Sequence, residues 1–308
     1  MKALRDSFGD ELLELGQEFP QLYVIDADIG KSCKTVPFKD KFPQQYLNVG
    51  IAEQNAAGVA AGLATLGKIP IVSTYAIFGS LRMIEQIRQE ACYPNLNVKV
   101  MCSHGGLTPA NDGASHQSIE DIGVMRTLPN MTVIAPADYY SARKLIREAV
   151  KMQGPVYMRF TRDPIPYIYD DQVTLTIGKA NTLVDGDQLA IFASGDIMSF
   201  ALSAVKQLQT QGIRARLVDF HTIKPLDEQA VLDAIETCGN IITVEDHNII
   251  NGLGSAVAEV IAEYGKGKLH RMGVRDCFGE SGPYEKLLEA NQVSVSHIID
   301  QANRMLGV

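Results

Sequence analysis

Leu47-Asn48-Val49-Gly50-Ile51-Ala52-Glu53-Gln54-Asn55 is an extended, apolar approach that ends at Gly50 and runs into a helix starting near Ala52. The helix continues as Ala-Ala-Gly-Val-Ala-Ala-Gly-Leu-Ala to about Leu66. It is built almost wholly of Ala, Gly, Val and Leu and has no polar face, so it reads as buried on all sides. Glu53 then falls in the first helical turn. An acid there complements the helix dipole and can cap free amides. A carboxyl at the mouth of an apolar helix is also poorly solvated, and such a group is expected to hold or share a proton.

Outward from this stretch, strand and helix alternate. Residues 3–18 form an amphipathic helix with Leu4, Phe8, Leu12 and Leu15 on one face. A short buried strand at 22–25 ends in Asp26-Ala-Asp28-Ile-Gly30, and polar residues at the carboxyl end of a parallel strand are where open α/β sheets place ligands. Residues 31–46, rich in Lys, Pro and Gln, read as loop. Strands follow at 69–73, 98–102, 132–135 and 156–160, with helices at 77–92 and 138–151. From Thr161 the pattern breaks into Thr-Arg-Asp-Pro-Ile-Pro-Tyr, and a second α/β unit then carries strands at 189–193, 215–219, 241–245 and 268–272. Its helices lie near 197–211, 227–237, 253–264 and 294–305. The expected architecture is α/β with two doubly wound domains: 1–162, a linker at 163–184, and a smaller domain at 185–308.

A chain of 308 residues suits two domains, and 46% apolar with 21% charged residues suits a globular protein. The net charge of −8 and the lack of a basic run argue against nucleic acid as a partner. No apolar run approaches the roughly 20 residues that span a bilayer, so no membrane association is expected. No leader is evident at the N-terminus. The five cysteines, at 33, 92, 102, 238 and 277, are scattered without CxxC spacing and read as reduced thiols in a cytoplasm. Gly252-Leu-Gly254-Ser half-matches a dinucleotide fingerprint, and a nucleotide-binding oxidoreductase would rest on it. The third glycine is missing, and a tight connection without ligand is the plainer reading.

The loop Ser103-His104-Gly-Gly-Leu-Thr-Pro-Ala-Asn-Asp112-Gly-Ala-Ser-His116-Gln is long for a compact domain and marks a functional segment. Two histidines and an aspartate in one glycine-rich loop suggest a polyol or carbonyl site.

Four stretches together carry a resemblance: Ile-Ala-Glu53-Gln-Asn, Thr74-Tyr-Ala-Ile-Phe78, Asp112-Gly-Ala-Ser-His116-Gln, and Leu128-Pro-Asn-Met-Thr-Val-Ile-Ala-Pro-Ala-Asp138. They resemble the pyrimidine-binding domain of transketolase. Val244-Glu-Asp-His-Asn-Ile-Ile-Asn-Gly-Leu-Gly-Ser and Phe278-Gly-Glu-Ser-Gly282 resemble its C-terminal domain. The Gly-Asp-Gly…Asn motif that binds cofactor phosphates and metal in transketolases does not occur. The resemblance is therefore to the C-terminal subunit of a split transketolase. It implies a separate N-terminal subunit of roughly 250 to 300 residues, two copies of each chain, and ketol transfer between sugar phosphates in pentose-phosphate carbohydrate metabolism. It also implies thiamine diphosphate as cofactor, with Mg2+ or another divalent ion held by the partner and no metal ligand in this chain. A 1-deoxyxylulose-phosphate-synthase-like or other ketose-specific variant, and a non-catalytic scaffold, are the alternatives.

Carried over by resemblance, Glu53 and His116 are catalytic, and Glu53 hydrogen-bonds the aminopyrimidine ring nitrogen. Tyr75 and Phe78 pack on that ring, and Asp28 lies beside the cofactor. Leu81 stands where the family often has an aromatic residue. Asp112 and His116 hydrogen-bond the ketose. Arg5, Ser32, His104 and Arg162 match the sugar-phosphate ligands, with Arg159 competing with Arg162 for that role.

Overall fold

The computed structural model describes residues 1–308. Its larger sheet has seven strands in the order Thr222–Lys224, Thr132–Ile134, Val156–Arg159, Lys99–Ser103, Ile69–Tyr75, Leu22–Asp26 and Tyr46–Asn48. All neighbours are parallel except Thr222–Lys224, which adds antiparallel to Thr132–Ile134. The smaller sheet has five strands, Lys268–Val274, Asn240–Asn248, Leu189–Ser194, Ala215–Asp219 and the antiparallel edge Asn181–Val184. Both sheets are covered on two sides, which is what near-continuous apolar strands require. Helices Leu4–Glu18 and Tyr139–Lys151 cover one face of the larger sheet through Leu4, Phe8, Leu12, Leu145 and Ile146, all buried. Helix Glu53–Thr65 lies on the other face, among Ile25, Val72 and Val100. In the smaller sheet, helices Met198–Thr210 and Val295–Leu306 lie on one side, and Glu228–Cys238 and Leu253–Tyr264 on the other. No helix is long and apolar enough to cross a membrane.

Four sequence expectations differ from the structure. Residues 31–46 are not loop but three helical turns, Gly30–Cys33, Val36–Lys41 and Pro43–Gln45, followed by the start of strand Tyr46–Asn48. Pro37 sits at the start of a helix, where its missing N–H costs nothing, and Phe38 is fully buried. The helix at 77–92 is interrupted by π-helical turns at Phe78–Arg82 and Ile87–Cys92, a distortion frequent at functional sites. Helix Glu53–Thr65 is buried only along Glu53, Ala56, Ala57, Ala60 and Ala61; Gln54, Asn55, Gly62 and Thr65 are exposed, because the sheet covers one side only. Ile51 and Leu66, at its two ends, are 76% and 74% exposed.

The stretch between the sheets is also more ordered than a linker. Pro164–Ile165 pairs antiparallel with Lys2–Ala3, and Asn181–Val184 already belongs to the smaller sheet, four residues ahead of the expected domain start. Tyr169 donates its hydroxyl to Asp219 at 2.8 Å, and its amide and that of Ile168 reach Asp138 at 2.9 and 2.7 Å.

Candidate functional site

The sequence-selected residues gather at the carboxyl ends of adjacent parallel strands, where an open α/β sheet exposes its loops. Strand Ile69–Tyr75 delivers Tyr75 and, three residues on, Phe78. Strand Lys99–Ser103 delivers His104, and strand Val156–Arg159 leads to Arg162. Tyr75 is the hub. Its ring lies 4.0 Å from that of His104, 5.9 Å from Phe78 and 5.9 Å from His116, and Phe78 and His116 are 5.8 Å apart.

His104 is 2% exposed and takes a left-handed backbone (φ +64°), a conformation that stores strain at functional positions. Its Nδ1 meets the Ser103 hydroxyl at 2.8 Å. Burial, then the charges of Arg5, Arg162 and His116, push it down to about 3. His104 is therefore a neutral hydrogen-bonding ring at physiological pH, in the positive field of Arg5 and Arg162. Arg5 Nη1 donates to the Ser32 carbonyl at 3.2 Å, while its Nε is buried without a partner. Arg162 Nη1 donates to the Pro109 carbonyl at 2.9 Å and to Asp112 Oδ2 at 3.3 Å. Ser32 enters through its carbonyl rather than its hydroxyl.

Arg159 is placed elsewhere. It is 3% exposed, with Nη1 on Asp121 at 2.9 Å and Nη2 on the Asp246 carbonyl at 2.7 Å, so its guanidinium is committed to the interior. Asp28 also has a left-handed backbone (φ +65°); it is exposed and accepts from Asn48 Nδ2 at 2.9 Å. No contact ties it to the aromatic cluster.

Glu53 is 5% exposed, at the mouth of its helix. It has one side-chain partner. Arg82 Nη1 donates to its Oε1 at 3.0 Å, and the same guanidinium lies 4.0 Å over the Phe78 ring. Sequence reasoning missed Arg82. The signal was present: Phe78 and Arg82 are four apart on one helical stretch and share a face. Phe78 thus offers a face and Glu53 a carboxyl edge, an arrangement that suits a flat, stackable ring with a hydrogen-bonding nitrogen at its edge. An aminopyrimidine has that chemistry, so these residues fit it. No group of three or more His, Cys, Asp or Glu side chains stands together as a metal site.

The glycine pair of the second half has its own explanation. Glu245 accepts from the Leu253 and Gly254 amides at 2.7 and 2.9 Å, filling the helix N-terminus where a pyrophosphate would otherwise bind. A Cβ on Gly252 would lie 2.0 Å from Glu245 Oε2. Gly252→Ala is therefore expected to cost about 1–3 kcal/mol, read as a lowered urea midpoint with an unchanged slope. An unshifted midpoint would count against this role for the glycine.

The chain matches "Transketolase, pyrimidine binding domain" over residues 1–166 and "Transketolase, C-terminal domain" over residues 178–298. It is 46% identical over 291 residues to a putative transketolase C-terminal section of Methanocaldococcus jannaschii, covering 94% of this chain and 91% of that protein. It is 38% identical over 302 residues to a 6-deoxy-6-sulfo-D-fructose transketolase subunit of a Clostridium strain, covering 98% and 94%. Among solved structures, a split-gene transketolase described as an inactive β4 tetramer superposes with TM-score 0.93 at 42% identity, covering 100% of this chain and 99% of that one. The chain belongs to the transketolase family, and along its length it corresponds to the C-terminal sections and subunits of split transketolases.

Proposed function

We propose that this chain is the C-terminal subunit of a thiamine-diphosphate-dependent transketolase that moves a two-carbon ketol unit from a ketose phosphate to an aldose phosphate, in complex with a separate N-terminal subunit. The observation that carries the reading is the Tyr75–Phe78–His104–His116 ring cluster, with Arg162 bonded to Pro109 and Asp112 of the loop that carries His116 and Arg5 bonded to the Ser32 carbonyl. Two guanidiniums, one with a buried Nε that has no partner, suit a phosphate monoester.

When bound, thiamine diphosphate supplies the carbon nucleophile and the electron sink for C–C cleavage. Glu53 would hold its pyrimidine edge and Phe78 its face, once Arg82 has moved aside. Asp28 would stand beside the cofactor. Tyr75 fixes the orientation of His104 and His116 by ring packing. His116, half-buried with Nδ1 3.0 Å from the Ser115 hydroxyl, and Asp112 would hydrogen-bond the ketose hydroxyls, His116 exchanging a proton there. Arg5, Arg162, the Ser32 segment and His104 would anchor the phosphate end. The divalent ion falls to the partner subunit. Two copies of each chain are the proposed assembly, and the exposed side of helix Glu53–Thr65, flanked by the exposed apolar Ile51 and Leu66, offers a contact face.

The test is reconstitution. This chain, a candidate N-terminal subunit, thiamine diphosphate and Mg2+ are assayed for transfer from xylulose 5-phosphate to ribose 5-phosphate, with each component omitted in turn. Activity only in the full mixture is expected. A complex that forms without activity on this pair directs the search to other donors. Sulfonated ketoses come first, since a 38%-identical relative is named for a sulfofructose. A complex that binds the cofactor but transfers from no donor supports the scaffold reading.

Within an active complex, Arg162→Ala is expected to raise KM for the phosphorylated donor by about 10- to 100-fold, the loss of a charge-assisted hydrogen bond. KM for an unphosphorylated ketose should stay within about twofold, since that substrate never engaged the clamp. Equal effects on both substrates would refute the phosphate role.

A further inference from the structure

The loop that carries Asp112 and His116 is fastened at both arms by the second half of the chain. Its neck is closed by Gly106 and Ser118, whose amides and carbonyls exchange hydrogen bonds at 2.8 and 3.0 Å. On the outgoing arm the Leu107 amide donates to both carboxylate oxygens of Asp246, at 3.0 Å each. Asp246 is 1% exposed. It is itself held, because Tyr284 donates its hydroxyl to Asp246 Oδ2 at 3.1 Å and also contacts Asp196. On the return arm Gln117 Nε2 donates to the Glu280 carbonyl at 2.8 Å.

Two glycines let these contacts close. Gly106 has φ +64°, and a Cβ there would lie 2.1 Å from Asp246 Oδ2. A Cβ on Gly279 would lie 1.8 Å from Gln117 Oε1. Each arm therefore meets the second half at a point with no room for a side chain. The loop between the arms has one short 3-10 turn, Ala110–Asp112, and isolated turn bonds of its own. Besides the Arg162 bonds to Pro109 and Asp112 at its middle, its shape is set at its two ends.

We propose that Asp246, with Tyr284 behind it, and the Gly279-Glu280 segment are positioning residues for the substrate: they hold the Leu107–Gln117 loop, and through it Asp112 and His116, in the geometry a ketose phosphate needs. The inference rests on the transketolase reading. It gives the second half a part in substrate recognition although none of its side chains lies in the cluster around Tyr75. The occupant of the loop is the hydroxylated backbone of the ketose, since the phosphate clamp and the pyrimidine slot are built from other segments.

The experiment compares wild type, Asp246→Ala, Asp246→Asn and Tyr284→Phe in the reconstituted complex. In Asp246→Ala, KM for the ketose donor should rise by about tenfold or more, as misplaced binding groups do. Cofactor affinity, read by fluorescence titration, should stay within about twofold, because Glu53 and Phe78 lie on other elements. Asp246→Asn keeps an acceptor for Leu107 and should restore most of the KM. Tyr284→Phe should move KM in the same direction by less. A merely structural Asp246 would lower kcat through loss of folded enzyme and leave KM alone, and that result overturns the proposal.

Amide hydrogen exchange on the chain separates this failure from failure of the function itself. If the wild-type complex proves inactive on every donor, the transketolase reading has failed. Faster exchange confined to residues 107–117 in Asp246→Ala would then still uphold the clamp, and unchanged exchange there would overturn it. Should Asp246→Ala not fold, Tyr284→Phe and Gly279→Ala carry the same KM and exchange tests.

Discussion

Glu53→Ala should remove ketol transfer, with turnover falling by about 10³-fold or more, the range for loss of a group that manages protons at a reacting cofactor. The fold should survive. Glu53 has one side-chain partner, Arg82, whose own side chain is 50% exposed, so the freed guanidinium turns to water at little cost. The chain's urea midpoint should stay close to wild type while the reconstituted complex loses activity. Glu53→Gln separates charge from shape: it keeps an oxygen at the helix mouth but cannot carry the carboxylate charge. Wild-type turnover in either variant would overturn the assignment of Glu53. A collapse of the midpoint would instead show that the carboxyl is structural.

Arg159→Ala should do the opposite, damaging the fold first. Its guanidinium is buried between the two halves, on Asp121 at 2.9 Å and the Asp246 carbonyl at 2.7 Å, while Tyr157 donates to the other Asp121 oxygen at 2.6 Å. Removing the cation leaves Asp121 charged and dry, which costs about 3–5 kcal/mol. For a chain this long the melting temperature should fall by roughly 10 °C. The contrast with Arg162 is the informative part. These two arginines flank Phe160, yet one should shift melting and the other KM. A shift in KM with an unchanged melting temperature in Arg159→Ala would place Arg159 in the phosphate clamp after all.

That contrast shows where sequence reading stops. The strands and helices were legible because apolar periodicity is local, and the first-turn position of Glu53 followed from where that periodicity began. The carboxyl-end loops could be singled out because histidine, aspartate and glycine crowd them. Arg159, however, is the last residue of its strand, paired with Cys102, whereas Arg162 lies beyond the strand, and where the strand stops is fixed by its neighbours. The role of Asp246 was hidden for a similar reason. Within a Glu-Asp-His run it reads as one more buried polar residue of a strand, and its partner Leu107 is distant in sequence. Arg82 was overlooked because an arginine on an amphipathic stretch is ordinarily a solvated charge. The misread segment 31–46 shows composition failing where position matters: Pro37 starts a helix rather than breaking one.

Strand Thr222–Lys224 has a consequence for how this protein can be divided. It leaves the second half, crosses to the larger sheet and seals the flank of Thr132–Ile134. A fragment ending at residue 166 would keep the whole pyrimidine-binding match yet present a bare β-edge, and bare edges recruit other strands. Such a piece should aggregate rather than persist as a module. The Methanocaldococcus section and the Clostridium subunit carry both halves together, with over nine-tenths of their length aligned. The joint between the two halves is thus a seam stitched from both sides, and it is a poor place for evolution or an engineer to cut.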